Sequence, residues 1–148
     1  MKAPFLLSIA LLSSVSLTSC WQKEESEPTL SHFAATKNII YLHQMLTKAE
    51  DAASAFDRYI KSGNVVVDFY AEWCGPCKVM GRVIDQIAAQ FPNVTFLKVD
   101  TDQFQSLASD IRGIPTFKFY KNSSQVNRFS GARDKNEFTS LLNQYFSH

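Results

Sequence analysis

The feature that most constrains the fold is an apolar run that leads directly into a pair of cysteines. The residues from Val65 to Tyr70 are almost all apolar or β-branched, a composition typical of a central strand that is covered on both faces. Asp68 is the one charged residue in this run. Cys74 and Cys77 follow after a short loop, and apolar residues then recur at helical spacing, namely Val79, Met80, Val83, Ile84, Ile87, Ala88 and Phe91. This pattern predicts a buried strand, a loop with two cysteines and an amphipathic helix.

The remaining apolar runs change period several times, and their order indicates an α/β domain. Further strands are predicted at Asn38 to Leu42, Val94 to Val99, Thr116 to Lys121 and Gln125 to Phe129. Further helices are predicted at Lys48 to Ser62, at Gln103 to Ile111 and after Asp134, whose spacing from Glu137 indicates a capping box. A chain of 148 residues with 45% apolar residues supports one such domain, which we place at residues 38–148.

Charge and composition exclude several kinds of partner. The 15 basic and 14 acidic residues leave a formal charge of +1, so no excess field favours nucleic acid or an anionic membrane surface. The sequence also contains no flavin or nicotinamide motif, and we expect no cofactor.

Residues 1–20 have the order of a signal peptide. Lys2 precedes an apolar stretch, and small or mildly apolar residues follow it up to Cys20. The end of this segment, Leu17-Thr18-Ser19-Cys20, resembles the lipobox of bacterial lipoproteins, which implies lipidation of Cys20. Ordinary cleavage and an uncleaved anchor are the alternatives. Residues 21–37 are polar and acidic and are predicted to be a flexible spacer; docking through Leu30 and Phe33 is the alternative.

The Cys74-Gly75-Pro76-Cys77 motif carries the chemistry. At the start of a helix this spacing brings two sulfurs close enough to form a small ring, and the unpaired N–H groups there stabilise a thiolate on Cys74. Pro76 fits the first helical turn, and Gly75 leaves the approach to Cys74 open. The same spacing also occurs in zinc sites and structural disulfides. The remaining zinc ligands would have to come from Cys20, His32, His43 and His148, which are scattered, so no metal is expected.

Two segments resemble the thioredoxin family. Val65 to Lys78 is similar, almost residue for residue, to the strand, loop and helix of that family's active site. Arg112-Gly113-Ile114-Pro115-Thr116 resembles the family's loop with a cis proline, at the expected separation. The resemblance extends over about residues 38–148. It implies a thioredoxin fold, in which a central mixed β-sheet is flanked by helices, here preceded by the signal peptide and the spacer.

The resemblance also assigns roles to individual residues. Cys74 would attack a substrate disulfide and Cys77 would resolve the mixed disulfide. Asp68 matches the buried carboxylate that exchanges a proton with the second cysteine, and Lys98 matches the lysine near it; a solvent-exposed strand end and a plain surface lysine are the alternatives. The predicted substrate-binding residues are Trp73, Gly75, Pro76, Ile114, Pro115 and Gly131. The sequence departs from the family at Tyr70, where tryptophan is usual, and at Ser123-Ser124, where the turn usually contains glycine.

These features together predict a thiol-disulfide oxidoreductase that reduces or isomerises disulfides in exported proteins. It would work as a monomer on the periplasmic side of a bacterial membrane, held by lipid on Cys20, with electrons from a membrane thiol carrier. Two alternatives are a binding module with the same fold but no turnover, and a dedicated reductant of apocytochrome c.

Overall fold

The computed structural model of this protein describes residues 37–46 and 51–147. The predicted signal peptide, the lipidation site Cys20 and nearly all of the predicted spacer lie outside the described residues. The strands are β1 (Ile39–Tyr41), β2 (Asn64–Tyr70), β3 (Val94–Asp100), β4 (Thr116–Lys121) and β5 (Ser124–Ser130). The helices are α1 (Leu42–Met45), α2 (Ala52–Ile60), α3 (Gly75–Ile87) and α4 (Lys135–Phe146), and a 3-10 turn at Ala88–Gln90 extends α3.

The five strands form one mixed sheet in the order β1-β3-β2-β4-β5. Strand β2 pairs in parallel with β3 and antiparallel with β4, so the predicted cysteine-loop strand is central. Its residues from Val65 to Tyr70 are all buried, as expected for a strand that is covered on both faces. The prediction of a central mixed sheet flanked by helices is confirmed.

Because side chains alternate across a strand, the sheet builds two apolar cores. One core lies under α3 and α4 and contains the fully buried rings of Phe117, Phe119 and Phe138. The other lies under α1 and α2 and is built on Val65, Val67, Phe69, Leu97 and Val99. The stripe of α3 that includes Met80, Ile84 and Ile87 faces the first core. This packing fixes the start of α3, and with it both cysteines, at the end of β2.

The prediction of a helix over Gln103 to Ile111 is wrong. This segment is a series of turns, closed by bonds such as Leu107 N–H to the Phe104 carbonyl at 3.1 Å and Ile111 N–H to the Ala108 carbonyl at 2.9 Å. Phe104, Leu107, Ala108 and Ile111 all pack against the second core. Tertiary contacts therefore decide the backbone here, as commonly happens for segments too short to form a stable helix alone.

The β4–β5 turn adopts the left-handed backbone at Asn122 (φ 49°) and Ser123 (φ 71°), although neither is glycine. Bonds to the segment after α2 hold it there: the Asn122 side chain accepts from the Gly63 N–H at 2.9 Å, and the Ser123 N–H donates to the Ile60 carbonyl at 2.9 Å. The Ser123 hydroxyl also donates to the Lys61 carbonyl at 3.0 Å. Ser123, one of the two serines that replace the family's glycine, thus docks the hairpin against the end of α2.

Candidate active site

The two motif cysteines form a disulfide at the N-terminus of α3. The Sγ atoms of Cys74 and Cys77 are bonded to each other, and the Cα atoms of the two residues are 5.2 Å apart. Cys74 is the N-cap residue of the helix, and its Sγ accepts the Cys77 N–H at 3.2 Å. A backbone donor at the positive end of a helix therefore points at the sulfur of Cys74, which stabilises negative charge on it after reduction.

The surroundings of Cys74 leave one side of the disulfide open. Gly75 and Pro76 are exposed beside the buried sulfurs, and a Cβ placed on Gly75 would meet no atom within 4 Å. Pro76 occupies the first turn of α3, where its missing N–H removes no helical hydrogen bond. The structure places these two predicted substrate-binding residues at the surface through which a substrate disulfide can approach.

Asp68 lies in the middle of β2 and is fully buried. Its Oδ2 accepts a hydrogen bond from Lys98 Nζ at 2.6 Å, and Lys98 is itself only 6% exposed. The partner follows from the sheet, because Asp68 and Lys98 are directly paired in the register of β2 and β3. Burial raises the pKa of the Asp68 carboxyl above its ordinary value, and the Lys98 charge only partly offsets this.

The second oxygen of this carboxyl is available for chemistry. Asp68 Oδ1 is buried and has no hydrogen-bond partner among the described residues. Unpartnered buried carboxylate oxygens are costly and are commonly found where a group takes up a proton. The interpretation of Asp68 as a solvent-exposed strand end is therefore wrong, as is that of Lys98 as a plain surface lysine.

A cavity of about 130 Å³ reaches from the surface to Cys77 and Lys98. Its lining residues are Tyr41, Tyr70, Ala71, Glu72, Cys77, Lys78, Gly81 and Lys98. The Lys98 Nζ lies 4.6 Å from the centre of the Tyr70 ring, and Tyr41 packs edge-on against Tyr70. Burial, with Glu72 and Asp100 nearby, raises the pKa of the Tyr70 hydroxyl, which therefore stays protonated. The cavity joins the second cysteine to the lysine that holds Asp68.

The opposite wall of the site is the loop before β4. The Ile114–Pro115 peptide bond is cis, as the resemblance implied. Ile114 packs against the cluster that contains Cys74 and Cys77. Gly131 has a positive φ of 89°, and its N–H donates to the Pro115 carbonyl at 2.8 Å. Ile114 therefore lies beside the two cysteines, and Gly131 is bonded to Pro115, the residue that follows Ile114 along the chain.

Trp73 stands at the rim of the site and is 70% exposed. Its Nε1 donates to the Asp102 carboxylate at 2.8 Å, which fixes the orientation of the indole. The ring borders a surface groove of about 300 Å³, lined by Trp73, Thr101, Gln105, Ala108, Ile111, Arg112, Gly113 and Ile114. An exposed aromatic ring beside an open groove is well suited to contact a polypeptide.

Several residues of the site were not anticipated from the sequence. Tyr41 and Glu72 line the cavity at Cys77, and Asp102 orients Trp73. Tyr41 could have been found from the sequence, because it lies in the strand predicted at Asn38 to Leu42. Placing that strand beside β3 pairs Tyr41 with Lys98. Asp102 carried no such signal, since its contact depends on the path of an irregular loop. No three His, Cys, Asp or Glu side chains of residues 37–46 and 51–147 lie close enough together to hold a metal ion.

Two cysteines form a disulfide at a helix N-terminus, with a buried carboxyl behind them and an open groove beside them. This arrangement defines a dithiol-disulfide oxidoreductase. A sequence profile of the family described as thioredoxin matches residues 47–144. The chain belongs to the thioredoxin family.

Individual relatives agree with this assignment. The chain is 39% identical over 92 residues to a thioredoxin of Chlamydia pneumoniae, covering 61% of this chain and 90% of that protein. It is 36% identical over 105 residues to a thioredoxin of Callithrix jacchus, covering 68% of this chain and 99% of that protein. The crystal structure of thioredoxin NaTrxh from Nicotiana alata is similar, with a TM-score of 0.63 at 30% identity, and the match covers 74% of this chain and 93% of that one. A mutant thioredoxin from Halobacterium salinarum matches with a TM-score of 0.60 at 29% identity, over 73% of this chain and 90% of that one.

Proposed function

We propose that this thioredoxin-family enzyme reduces or isomerises disulfides in exported proteins. The observation that carries the chemistry is the Cys74–Cys77 disulfide at the start of α3 with the buried Asp68–Lys98 pair behind it. The observation that supports export is the signal-peptide order of residues 1–20. Export separates the enzyme from cytosolic reductants, so its electrons would come from a membrane thiol carrier.

The reaction begins with the reduced enzyme. The Cys74 thiolate attacks one sulfur of the substrate disulfide, which forms a mixed disulfide and releases the other substrate sulfur as a thiolate. The N–H of Cys77, which points at Cys74 Sγ, stabilises the attacking charge. The groove beside Trp73 and Ile114 would hold the polypeptide around the attacked sulfur.

The second half of the reaction needs a proton acceptor. The Cys77 thiol gives its proton to the Asp68 carboxylate, directly or through water, and the resulting thiolate attacks Cys74 Sγ. The Cys74–Cys77 disulfide forms, the mixed disulfide breaks, and the second substrate thiolate leaves. The raised pKa of Asp68 suits this role, because a stronger base takes the proton more readily. The donor thiol carrier then returns two electrons by the reverse exchange.

The direction of electron flow is proposed from the residues between the cysteines. Gly75-Pro76 contains no histidine that would further stabilise the Cys74 thiolate, and a less stabilised thiolate makes the disulfide less oxidising. We therefore expect a potential near about −270 mV, as for reducing members of the superfamily, and not near about −120 mV, as for strong oxidants.

Equilibration of the full chain with glutathione buffers of known ratio measures this potential, with the Cys20→Ser variant keeping the third thiol out of the titration. Trapping free thiols with an alkylating reagent then counts the reduced fraction. A value at the strongly oxidising end overturns the reductant assignment.

The cellular part of the proposal needs its own test. Lipid on Cys20 would hold the domain at a membrane, and more than one acyl chain is needed for stable anchoring. Mass spectrometry of the mature N-terminus is expected to find acylated Cys20 as the first residue. A mature chain with an unmodified Cys20 contradicts the anchor, and one that retains residues 1–20 contradicts processing. None of the helices of residues 37–46 and 51–147 is long and apolar enough to span a bilayer.

A further inference from the structure

Asp110 ties the irregular loop between β3 and β4 to the sheet. Its carboxylate lies 2.9 Å from Lys118 Nζ, and its Oδ2 accepts from Arg128 Nη1 at 2.7 Å. Arg128 Nη2 also donates to the Asp110 backbone carbonyl at 2.8 Å. Lys118 lies on β4 and Arg128 on β5, and the two are paired in the sheet register. Two neighbouring strands therefore hold one loop residue by both its side chain and its main chain, and together these bonds hold the pKa of the Asp110 carboxyl below its usual range.

The lysine of this cluster depends on Asp110. Lys118 is only 7% exposed, and its Nζ lies 4.9 Å from the centre of the buried Phe69 ring. Asp110 is the only acidic side chain of residues 37–46 and 51–147 within ion-pair distance of Lys118. A buried ammonium group needs a compensating charge, so the cluster favours one position of Asp110 and of the residues bonded to it.

The residues that follow Asp110 form one wall of the groove at the active site. Ile111, Arg112, Gly113 and Ile114 come directly after it, and all four line the groove. Trp73 forms the other wall and is fixed separately through Asp102. The width of the groove therefore depends on where the Asp110 cluster holds the loop. The chemistry at Cys74 and Cys77 does not involve this cluster.

We propose that Asp110 is a positioning residue that sets the wall of the substrate groove and thereby determines how well polypeptide disulfides are used relative to small ones. The inference rests on the proposed reductase function. A polypeptide must lie along the groove to bring its disulfide to Cys74, whereas a small aromatic disulfide needs only the open side near Gly75. Displacing the wall therefore weakens the binding of a polypeptide disulfide far more than the access of a small disulfide to Cys74.

The test compares two substrates of the full chain with the Asp110→Asn variant. Asparagine keeps the size of the side chain but removes the charge that Lys118 and Arg128 hold. We expect the ratio of kcat/KM for insulin to the rate constant for dithiobis(nitrobenzoate) to fall at least about fivefold, through a raised KM for insulin. A fivefold fall is smaller than the roughly hundredfold loss of rate that a 1 Å misplacement of a reacting group can cause. Asp85→Asn makes the same change at an exposed position of α3 and is expected to leave the ratio unchanged.

A second variant separates positioning from simple destabilisation. Asp110→Asn leaves Lys118 buried without its partner, whereas the double variant Asp110→Asn with Lys118→Met also removes the buried charge and is expected to recover most of the lost stability. The proposal expects the substrate ratio to stay low in the double variant, because the carboxylate that binds Lys118 and Arg128 is still absent and only the Arg128 bond to the backbone carbonyl at position 110 remains. A ratio that recovers along with the stability overturns it.

The remaining outcomes are also decisive. An unchanged ratio in Asp110→Asn overturns the positioning role even if the wild-type chain reduces insulin well. A wild-type chain that reduces neither substrate refutes the proposed function itself, and the inference falls with it. The two failures are therefore distinguishable from one set of measurements.

Discussion

Replacing Lys98 by methionine tests how the buried carboxyl of Asp68 is held. Lys98 Nζ is bonded to Asp68 Oδ2 at 2.6 Å, and Oδ1 has no partner among the described residues. The substitution keeps the unbranched chain up to the position of Cε but leaves a fully buried carboxyl without a hydrogen-bond partner among the described residues. We expect the oxidised protein to lose stability by an amount that depends on pH.

The magnitude follows from the two protonation states of Asp68. If the carboxyl is charged, breaking a buried ion pair by removing one partner costs about 3–5 kcal/mol. If it is neutral, the cost is that of an unsatisfied buried polar group, about 1–3 kcal/mol. The deficit of the Lys98→Met variant should therefore grow from the lower range at acidic pH to the higher range at alkaline pH, with a slope of at most about 1.4 kcal/mol per pH unit.

The sign of this dependence follows from the direction of the pKa shift. Burial raises the pKa of Asp68 in the folded state above its unfolded value. A group shifted in this direction contributes stability below its unfolded pKa, and the contribution is lost as the pH rises through the folded pKa. Removing Lys98, whose charge lowers this pKa, raises it further. The stabilising contribution of protonated Asp68 is therefore lost over a pH range that extends higher in the Lys98→Met variant than in the wild type.

Urea unfolding of the oxidised full chain between about pH 5 and pH 9 measures the free energy of unfolding of both proteins. Lys61→Met removes an exposed lysine and serves as the control for the loss of one positive charge. The double variant Asp68→Asn with Lys98→Met should show no excess pH dependence. A Lys98→Met deficit that is the same at every pH, or a pH dependence of the deficit that persists in the double variant, refutes the assignment of the effect to Asp68.

Three other changes have expected outcomes. Cys77→Ser removes the sulfur that resolves the mixed disulfide, so a Cys74-linked complex with insulin should accumulate and be visible on non-reducing gels. The absence of this complex under conditions where the wild type turns over contradicts the order of attack. Asp134→Ala removes the side chain that caps α4 and should lower the free energy of unfolding by about 0.5–2 kcal/mol in urea. Gly131→Ala places a side chain at a φ of 89° and should lower the free energy of unfolding by about 1–2 kcal/mol. Gly113→Ala should lower it less, because an added Cβ there meets nothing within 4 Å. Equal losses of stability would contradict the backbone argument.

The central strand and its cysteine helix could be predicted because their signals are local. The run from Val65 to Tyr70 and the stripe from Val79 to Phe91 each carry one clear period, and the structure has β2 at Asn64–Tyr70 and α3 at Gly75–Ile87. The proximity of Asp68 and Lys98 also followed from the resemblance, because Lys98 matches the family's lysine near the buried carboxylate.

The loop from Thr101 to Ile114 could not be predicted in the same way. Its apolar residues have helical spacing, but they are used to pack against the second core. Near the end of the loop, Asp110 is bound by Lys118 and Arg128, which lie on the two following strands and carry no local sign of the contact. Apart from Ile114, which the resemblance assigned to substrate binding, the groove wall is therefore a product of tertiary structure that sequence patterns did not reveal.

The most direct test of the account is catalysed reduction of insulin with dithiothreitol as the electron source. The full chain is expected to accelerate insulin precipitation well beyond dithiothreitol alone, and Cys74→Ser is expected to abolish the acceleration while leaving the fold intact. Cys20→Ser, which removes the cysteine outside the motif, should retain it. Acceleration that survives Cys74→Ser would contradict the assignment of Cys74 as the attacking sulfur and the account built on it.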